Sequence, residues 1–270
     1  MTATTTPKRT RGRWSRVHSS SVAVWIARLW PPALGMLLLI TAWEAAVFAF
    51  SLPNFVLPLP QEIIRTGASH APQLWNDAVT TVLEALIGFG IGGVLGFVLA
   101  LLMVLWLPAE RALLPPFVII NSVPMVAFGP LVTIWFGIGM ASKIVLVTVV
   151  VSYTVLINTL AGLKACDLGA VALLRSFGAN DLQIMRVLRL PGALPSIFSG
   201  LKVAVVHSMI LAIVVEMLGA YSGLGWNIYQ ATQMMHFVEA WAAVLVAVVI
   251  SLAIYGLVVV ASQRAIWWPQ

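Results

Sequence analysis

Three glutamates, Glu44, Glu84 and Glu216, stand inside long apolar runs, where an ionisable side chain is costly enough to be a functional candidate by default. Carboxylates so placed can relay protons, meet a passing solute or brace a neighbouring turn. Glu216 precedes a Gly219 to Gly225 stretch and suits bracing and a pathway role equally, whereas Glu44, next to Trp43, suits a structural place at an interface. A second set of candidates lies in a polar island from Lys164 to Pro195, KACDLGAVALLRSFGANDLQIMRVLRLPGALP. Gln183, Arg186 and Arg189 recur there three apart, with Ile184, Val187 and Leu188 round the other side, the spacing of a short helix with one basic and one apolar face. Such a helix held beside a membrane is built to dock a partner.

Bond-making chemistry finds no support. The sequence contains no G-x-x-x-x-G-K-[ST] phosphate loop, so the chain has no visible means of cradling a nucleoside triphosphate. His18, His70, His207 and His236 are scattered, none four residues from another, which argues against a metal site. Cys166 is the single cysteine, so one chain forms no disulfide. No nucleophile has a base at a telling spacing.

The elements that position these residues follow from composition. An apolar share of 61%, 9% charged residues and a mean hydropathy of +1.00 contrast with about 45–50% and about 25% in soluble domains. The fold class is therefore all-α and polytopic. Windows of about 20 apolar residues predict six spans, near 33–51, 78–105, 113–137, 143–163, 197–219 and 239–261. The third is interrupted by Pro115, Pro116, Pro124 and Pro130 and holds Asn121 and Ser122. A broken helix at membrane depth is tolerated where it lines a cavity or is buried in protein, so this span is either a pathway wall or a kinked packing helix. In the second span Gly88, Gly92 and Gly96 recur every four residues, a stripe that admits a close neighbour within the subunit or across a dimer. In the polar island Gly178 can end one helix and Asn180 or Asp181 can cap the next, which is expected to stop at Pro191.

Residues 1–28 carry Lys8, Arg9, Arg11, Arg13, Arg16 and Arg28 and no acid, and are read as a disordered cytoplasmic tail in preference to a transit peptide; 29–270 form the membrane domain. With six spans, thirteen Lys and Arg residues fall on the side of the tail and the island, and only Arg65 and Lys143 on the other. That bias puts both termini and the island in the cytoplasm. The basic residues sit beside spans and not among aromatics, so nucleic acid is not an expected partner.

The island also carries a resemblance. Gly178, nine residues, then Leu188-Arg189-Leu190-Pro191 resembles the loop shared by permease subunits of bacterial ATP-binding-cassette importers. That family opens the motif with Glu-Ala-Ala, where this chain has Ala172, Leu173 and Leu174. TVLEALIGFGIGGVLGFVLA around the glycine stripe, SVPMVAFGPLVTIWFGIG at 122–139 and VVEMLGAYSGLGWNI at 214–228 extend the likeness to about residues 55–260. The resemblance implies a type I importer fold with a cytoplasmic coupling helix in the bacterial inner membrane. It also implies a second permease copy, two ATP-binding subunits that hold ATP and magnesium, and an extracytoplasmic substrate-binding protein. This chain would then bind no cofactor and catalyse nothing. Gly178, Ala179, Asp181, Leu182, Arg186, Leu190 and Pro191 would dock the ATPase; Glu84, Asn121, Ser122 and Glu216 are the pathway candidates. Nitrate, sulfonate and taurine relatives often carry arginine where Glu84 stands, and glutamate there resembles the branch importing pyrimidine precursors or riboflavin-type compounds.

Glu44, Glu62, Asp77, Glu84, Glu216 and Glu239 all fall on the outer side in this topology. An acidic vestibule would repel small anions, which favours an aminopyrimidine-like solute over nitrate, sulfonate or taurine. The competing reading is a self-contained secondary transporter or channel using the intramembrane glutamates, although the spans show no internal repeat.

Overall fold

A computed structural model describes residues 21–265, with side chains from residue 30 onward. Most of the basic segment assigned to 1–28 lies outside the described residues. Contacts divide the chain into two units at Leu52 and Pro53. The first contains α1 (Ser21–Ala49), which takes in the end of the segment read as tail and runs through Pro31 and Pro32. Its Thr41 hydroxyl donates back to the Leu37 carbonyl at 2.9 Å.

The second unit is a helical body without strands among the described residues. Its members are α2 (Pro60–Ser69), α3 (Ala71–Leu105), α4 (Leu107–Ser122), α5 (Gly129–Phe136), α6 (Met140–Lys164), α7 (Leu168–Ser176), α8 (Asp181–Ile184), α9 (Leu190–Leu218), α10 (Leu224–Gln233) and α11 (Phe237–Ala265). A 3₁₀ turn, Met125–Phe128, leads into α5, and a π turn, Met185–Arg189, joins α8 to α9. Among the described residues five helical runs are long and apolar enough to cross a membrane, the first being Trp30–Ala49 in α1. A sixth crossing is the pair Leu107–Ser122 and Met125–Phe136, bent by 84°. The short helices α2 and α10 have no counterpart in the sequence reading.

The core is the triple contact of α3, α6 and α9, filled by Ala85, Val147, Val151, Val155, Ala204, Met209, Ala212 and Val215. The glycine stripe lies in it. A Cβ on Gly88 would stand 2.6 Å from Val147 Cβ, one on Gly92 2.6 Å from the Thr148 carbonyl oxygen, and one on Gly96 2.3 Å from that of Ser152. The stripe is therefore a seam within the subunit, and its partner is α6.

Positions rise together along both helices, so α3 and α6 are parallel. The connection must then return the chain the full depth of the bundle, because parallel neighbours cannot be joined by a tight turn. Glu110, at the start of α4, pairs with Lys164 at the end of α6, while the turn after α5 feeds directly into Met140. The bent pair is thus one crossing. It breaks at Ser122–Pro124, not at Pro115 and Pro116, which α4 accommodates. α9 runs antiparallel to α6, with Gly162 against Ala193 and Ser196, and Gly200 against Asn158.

The expectation that Pro191 stops the second helix of the island is corrected. Leu190 N–H donates to the Met185 carbonyl, five residues back, and helical structure continues from Asp181 to Leu218. The wider π turn accommodates a residue that brings no N–H. It also rotates the face that follows by about 100°, the share of one residue in a 3.6-residue turn. Val187, within the turn, stands exposed instead of on the apolar side.

The seam yields a stability test. Gly96→Val places a branched side chain against a carbonyl that cannot retreat and is expected to cost at least about 1–3 kcal/mol. Gly90→Ala, where nothing lies within 4 Å, is expected to leave the thermal midpoint in detergent unchanged or slightly raised; equal midpoints for both variants would contradict the seam.

Candidate functional site

The loop site is built from local sequence. Asp167 caps α7 by accepting from Gly169 N–H at 2.8 Å. At the other end Gly178 takes φ +83°, its N–H donating to the Arg175 carbonyl at 2.9 Å while Ala179 N–H donates to that of Leu174 at 3.1 Å. These two bonds form a Schellman stop. Asn180, not Asp181, is the cap of α8: its side chain accepts from Gln183 N–H and Gln183 Oε1 accepts from Asn180 N–H, each at 2.8 Å, a reciprocal capping box. Asp181 instead pairs with Arg175 across the corner at 2.9 Å. Both are exposed, so the pair is worth about 0–1 kcal/mol.

The corner leaves an apolar tip. Leu168, Leu173, Phe177, Leu182 and Val187 are all exposed, Phe177 at 79%. Of the seven expected docking residues, Gly178, Asp181, Leu182 and Arg186 lie on this surface, and Ala179 is half-buried beside it. Leu190 does not face outward; it packs against Leu163, Met185, Ala193 and Ile197. Pro191, half-buried, belongs to the same continuous helix.

The second site is a cavity of about 440 Å³ half-way along α6. Its walls are the break in the third span (Asn121, Val123, Pro124, Met125, Val126), one face of α6 (Val150, Tyr153, Thr154, Ile157, Asn158) and α9 (His207, Ile210, Leu211, Val214). A further cavity of about 230 Å³ shares Asn121, Met125 and Tyr153 with it. Asn158 Nδ2 donates to the Thr154 carbonyl at 2.8 Å, which leaves its oxygen available. No Asp, Glu, Lys or Arg lines the larger cavity. Of the four pathway candidates Asn121 alone is in the wall. Ser122 is exposed and donates to the Val118 carbonyl at 2.8 Å. Tyr153, Thr154, Asn158 and His207 were missed; each is a polar side chain within an apolar span, and that was the readable signal.

Glu84 and Glu216 are elsewhere, at the end of the bundle away from the loop, with Lys143. All three are almost wholly buried. Glu216 Oε1 accepts from the Thr81 hydroxyl and Oε2 from Gly225 N–H, both at 2.7 Å, so Glu216 braces the turn after α9. Thr81 Oγ1 also accepts from Leu224 N–H at 2.9 Å. Asp77 holds Gly223 N–H at 3.1 Å and Asn227 Nδ2 at 3.0 Å.

Of the acids expected to form an outer vestibule, Glu216 and Asp77 hold the turn, Glu84 is buried, and Glu239 lies 3.3 Å from His236. Lys143, placed outside by the sequence reading, is in the middle of this network.

Known proteins agree with this architecture. Residues 92–266, well over half of the chain, match the family described as binding-protein-dependent transport system inner membrane component. The candidate aliphatic sulfonates transport permease of Escherichia coli (strain K12) is 32% identical over 80% of this chain and 83% of its own length. The formylaminopyrimidine transport permease of Halalkalibacterium halodurans is also 32% identical, over 72% of this chain and 78% of its own. Among solved structures, a chain of an amino acid ABC transporter crystallised with histidines superposes with a TM-score of 0.62 at 18% identity, over 73% of this chain and 96% of that one, a likeness of fold. The family match and these relatives place the chain: it belongs to the family of binding-protein-dependent transport system inner membrane components, the permeases of ABC importers.

Proposed function

We propose that the chain forms the membrane pathway of an ATP-driven importer in a bacterial inner membrane, two copies pairing around the route. A substrate-binding protein delivers the solute on one side, and two ATP-binding subunits, which hold ATP and magnesium, act on the loop from the other. The observation that carries this reading is the apolar tip around Gly178, five exposed hydrophobic side chains on a corner fixed by a Schellman stop and a capping box. A membrane protein has no reason to hold such a surface rigid beyond its apolar spans unless a partner covers it. The tip lies at the end that also carries Arg111, Lys164, Arg186, Lys202 and Arg264, whereas Arg65 is the exposed cation of the opposite end. That asymmetry supports a cytoplasmic tip and cytoplasmic termini.

The solute is a small uncharged polar compound, closer to an aminopyrimidine than to a sulfonate, nitrate or taurine. The support is the cavity lining, which offers amide, hydroxyl, phenol and imidazole groups and no Asp, Glu, Lys or Arg. A permanently charged solute would lose hydration there without a compensating partner. A proton-coupled transporter is less well supported, because Glu84 and Glu216 are buried around Lys143 and not in the cavity wall.

Two outcomes test these statements. Gly178→Val forces a branched residue into left-handed geometry, which costs about 1–2 kcal/mol or more. The variant is expected to insert normally, lose co-purification with the ATP-binding subunit and lose ATP-dependent uptake; wild-type uptake by this variant would remove the docking role. In competition assays formylaminopyrimidine is expected to inhibit uptake, with taurine and alkanesulfonates inert and Asn121→Leu impairing transport. Uptake of an alkanesulfonate unaffected by the pyrimidine would contradict the solute assignment.

A further inference from the structure

Lys143 has no place in the docking surface or the cavity, yet it is 1% exposed at the start of α6. Its Nζ donates to three backbone carbonyls: Ile138, Gly139 at 3.1 Å and Gly219 at 2.6 Å. Three donated bonds use every N–H of an ammonium, and the acceptors come from two separate turns. Ile138 and Gly139 belong to the turn between α5 and α6; Gly219 ends α9. Glu84 and Glu216 are buried at the same end of the bundle.

The same two turns meet a second time through side chains. A Cβ on Gly129 would lie 2.8 Å from Leu218 Cδ1, and one on Gly219 4.0 Å from Thr133 Cβ. α5 is thus seated on the end of α9, with Lys143 fastening the joint from behind. α5 is also the continuation of the cavity wall, through Met125 and Val126 of the 3₁₀ turn before it.

We propose that Lys143 is a positioning residue that fastens the half-span Gly129–Phe136 to the end of α9 at Gly219, so that the cavity wall and the turn after α9 move as one body. Ordinary packing alone would let a broken, eight-residue half-helix tilt independently whenever the bundle rearranges. The lysine removes that freedom by tying both its following turn and its neighbour's last carbonyl to a single atom. Glu216 completes the fastening on the other side of the turn through Gly225 N–H.

The test uses cysteine pairs in the full chain with Cys166→Ser, which removes the only native thiol. Thr133→Cys with Gly219→Cys spans the joint at a Cβ separation of 4.0 Å, and Gly67→Cys with Ala242→Cys, at 3.7 Å, reports on α2 against α11; both separations suit a disulfide. In membranes, adding Lys143→Met is expected to slow cross-linking of the first pair on the order of tenfold, as it drifts out of disulfide range, while the second pair reacts as before. No change in the first pair, or an equal loss in both, would overturn the proposal, the latter because it would mark Lys143 as a general stability residue.

In the complex with its ATP-binding subunits, the first pair is expected to cross-link equally fast without nucleotide and after vanadate trapping. A fall in either state would show that the two turns part during the cycle and would overturn the one-body claim. Failure of the importer reading would show itself separately, as an absence of vanadate trapping, and the membrane arm would still decide the role of Lys143.

Discussion

The close approach of α3 to α6 constrains everything else. Gly96 brings the backbone of one helix so near the Ser152 carbonyl of the other that no side chain fits between them. In a bilayer, where lipid tails are as apolar as leucine, such contact is what packing has to offer in place of a hydrophobic driving force. Because the two helices are parallel, the chain between them has to cross back, and it does so as α4, a break, and α5. Asn121, Val123 and Pro124 at the break line the cavity, a setting in which irregular backbone at membrane depth is tolerated. The seam also sets Thr81 and Glu84 on α3 against Lys143 on α6 and Glu216 on α9, so the polar network at one end of the bundle follows from the glycine contact.

The two ends of the molecule are joined by one helical run. From Asp181 to Leu218 it passes through a π turn and Pro191 without a break, a length of about 57 Å at 1.5 Å per residue. At one end is the corner fixed by Gly178 and Asn180; at the other is Gly219, whose carbonyl meets Lys143. His207, Ile210 and Val214 line the cavity between them. The loop and part of the cavity wall therefore belong to a single continuous element. The proline near its base is accommodated by the π turn, in which Val187 stands exposed.

Much of this was legible in the sequence because the bilayer leaves few alternatives. Each predicted span has its helix or bent pair, and the loop punctuation read from Gly178 and Asn180 is found in hydrogen bonds. The glycine period announced a close neighbour, although only the structure identifies it as α6. Proline was misjudged at Pro191 because its missing N–H ends an isolated helix, whereas a π turn moves the orphaned carbonyl elsewhere. The same bias was harmless in the third span, where the break fell at Pro124 and not at Pro115. The short helices α2 and α10 escaped because neither is long or apolar enough to stand out beside true spans. The acids misled for a different reason: hydropathy and topology assign a residue to a side of the membrane, and cannot say that Asp77 and Glu216 spend their oxygens on backbone N–H groups, an amide and a hydroxyl, or that Glu84 is buried. Charge counted by side is a guide to orientation; charge at the cavity requires knowing which side chains face it.

The central claim is that the pathway has no motor of its own and moves solute only when a separate nucleotide-hydrolysing subunit grips the Gly178 corner. Uptake into sealed proteoliposomes tests it most directly, using formylaminopyrimidine, riboflavin, taurine and an alkanesulfonate as probes with the chain alone and with its ATP-binding subunits and binding protein. Accumulation of a probe only in the complete assembly, and only with ATP, is the expected result. Accumulation by the chain alone, driven by a proton gradient without nucleotide, would contradict the account.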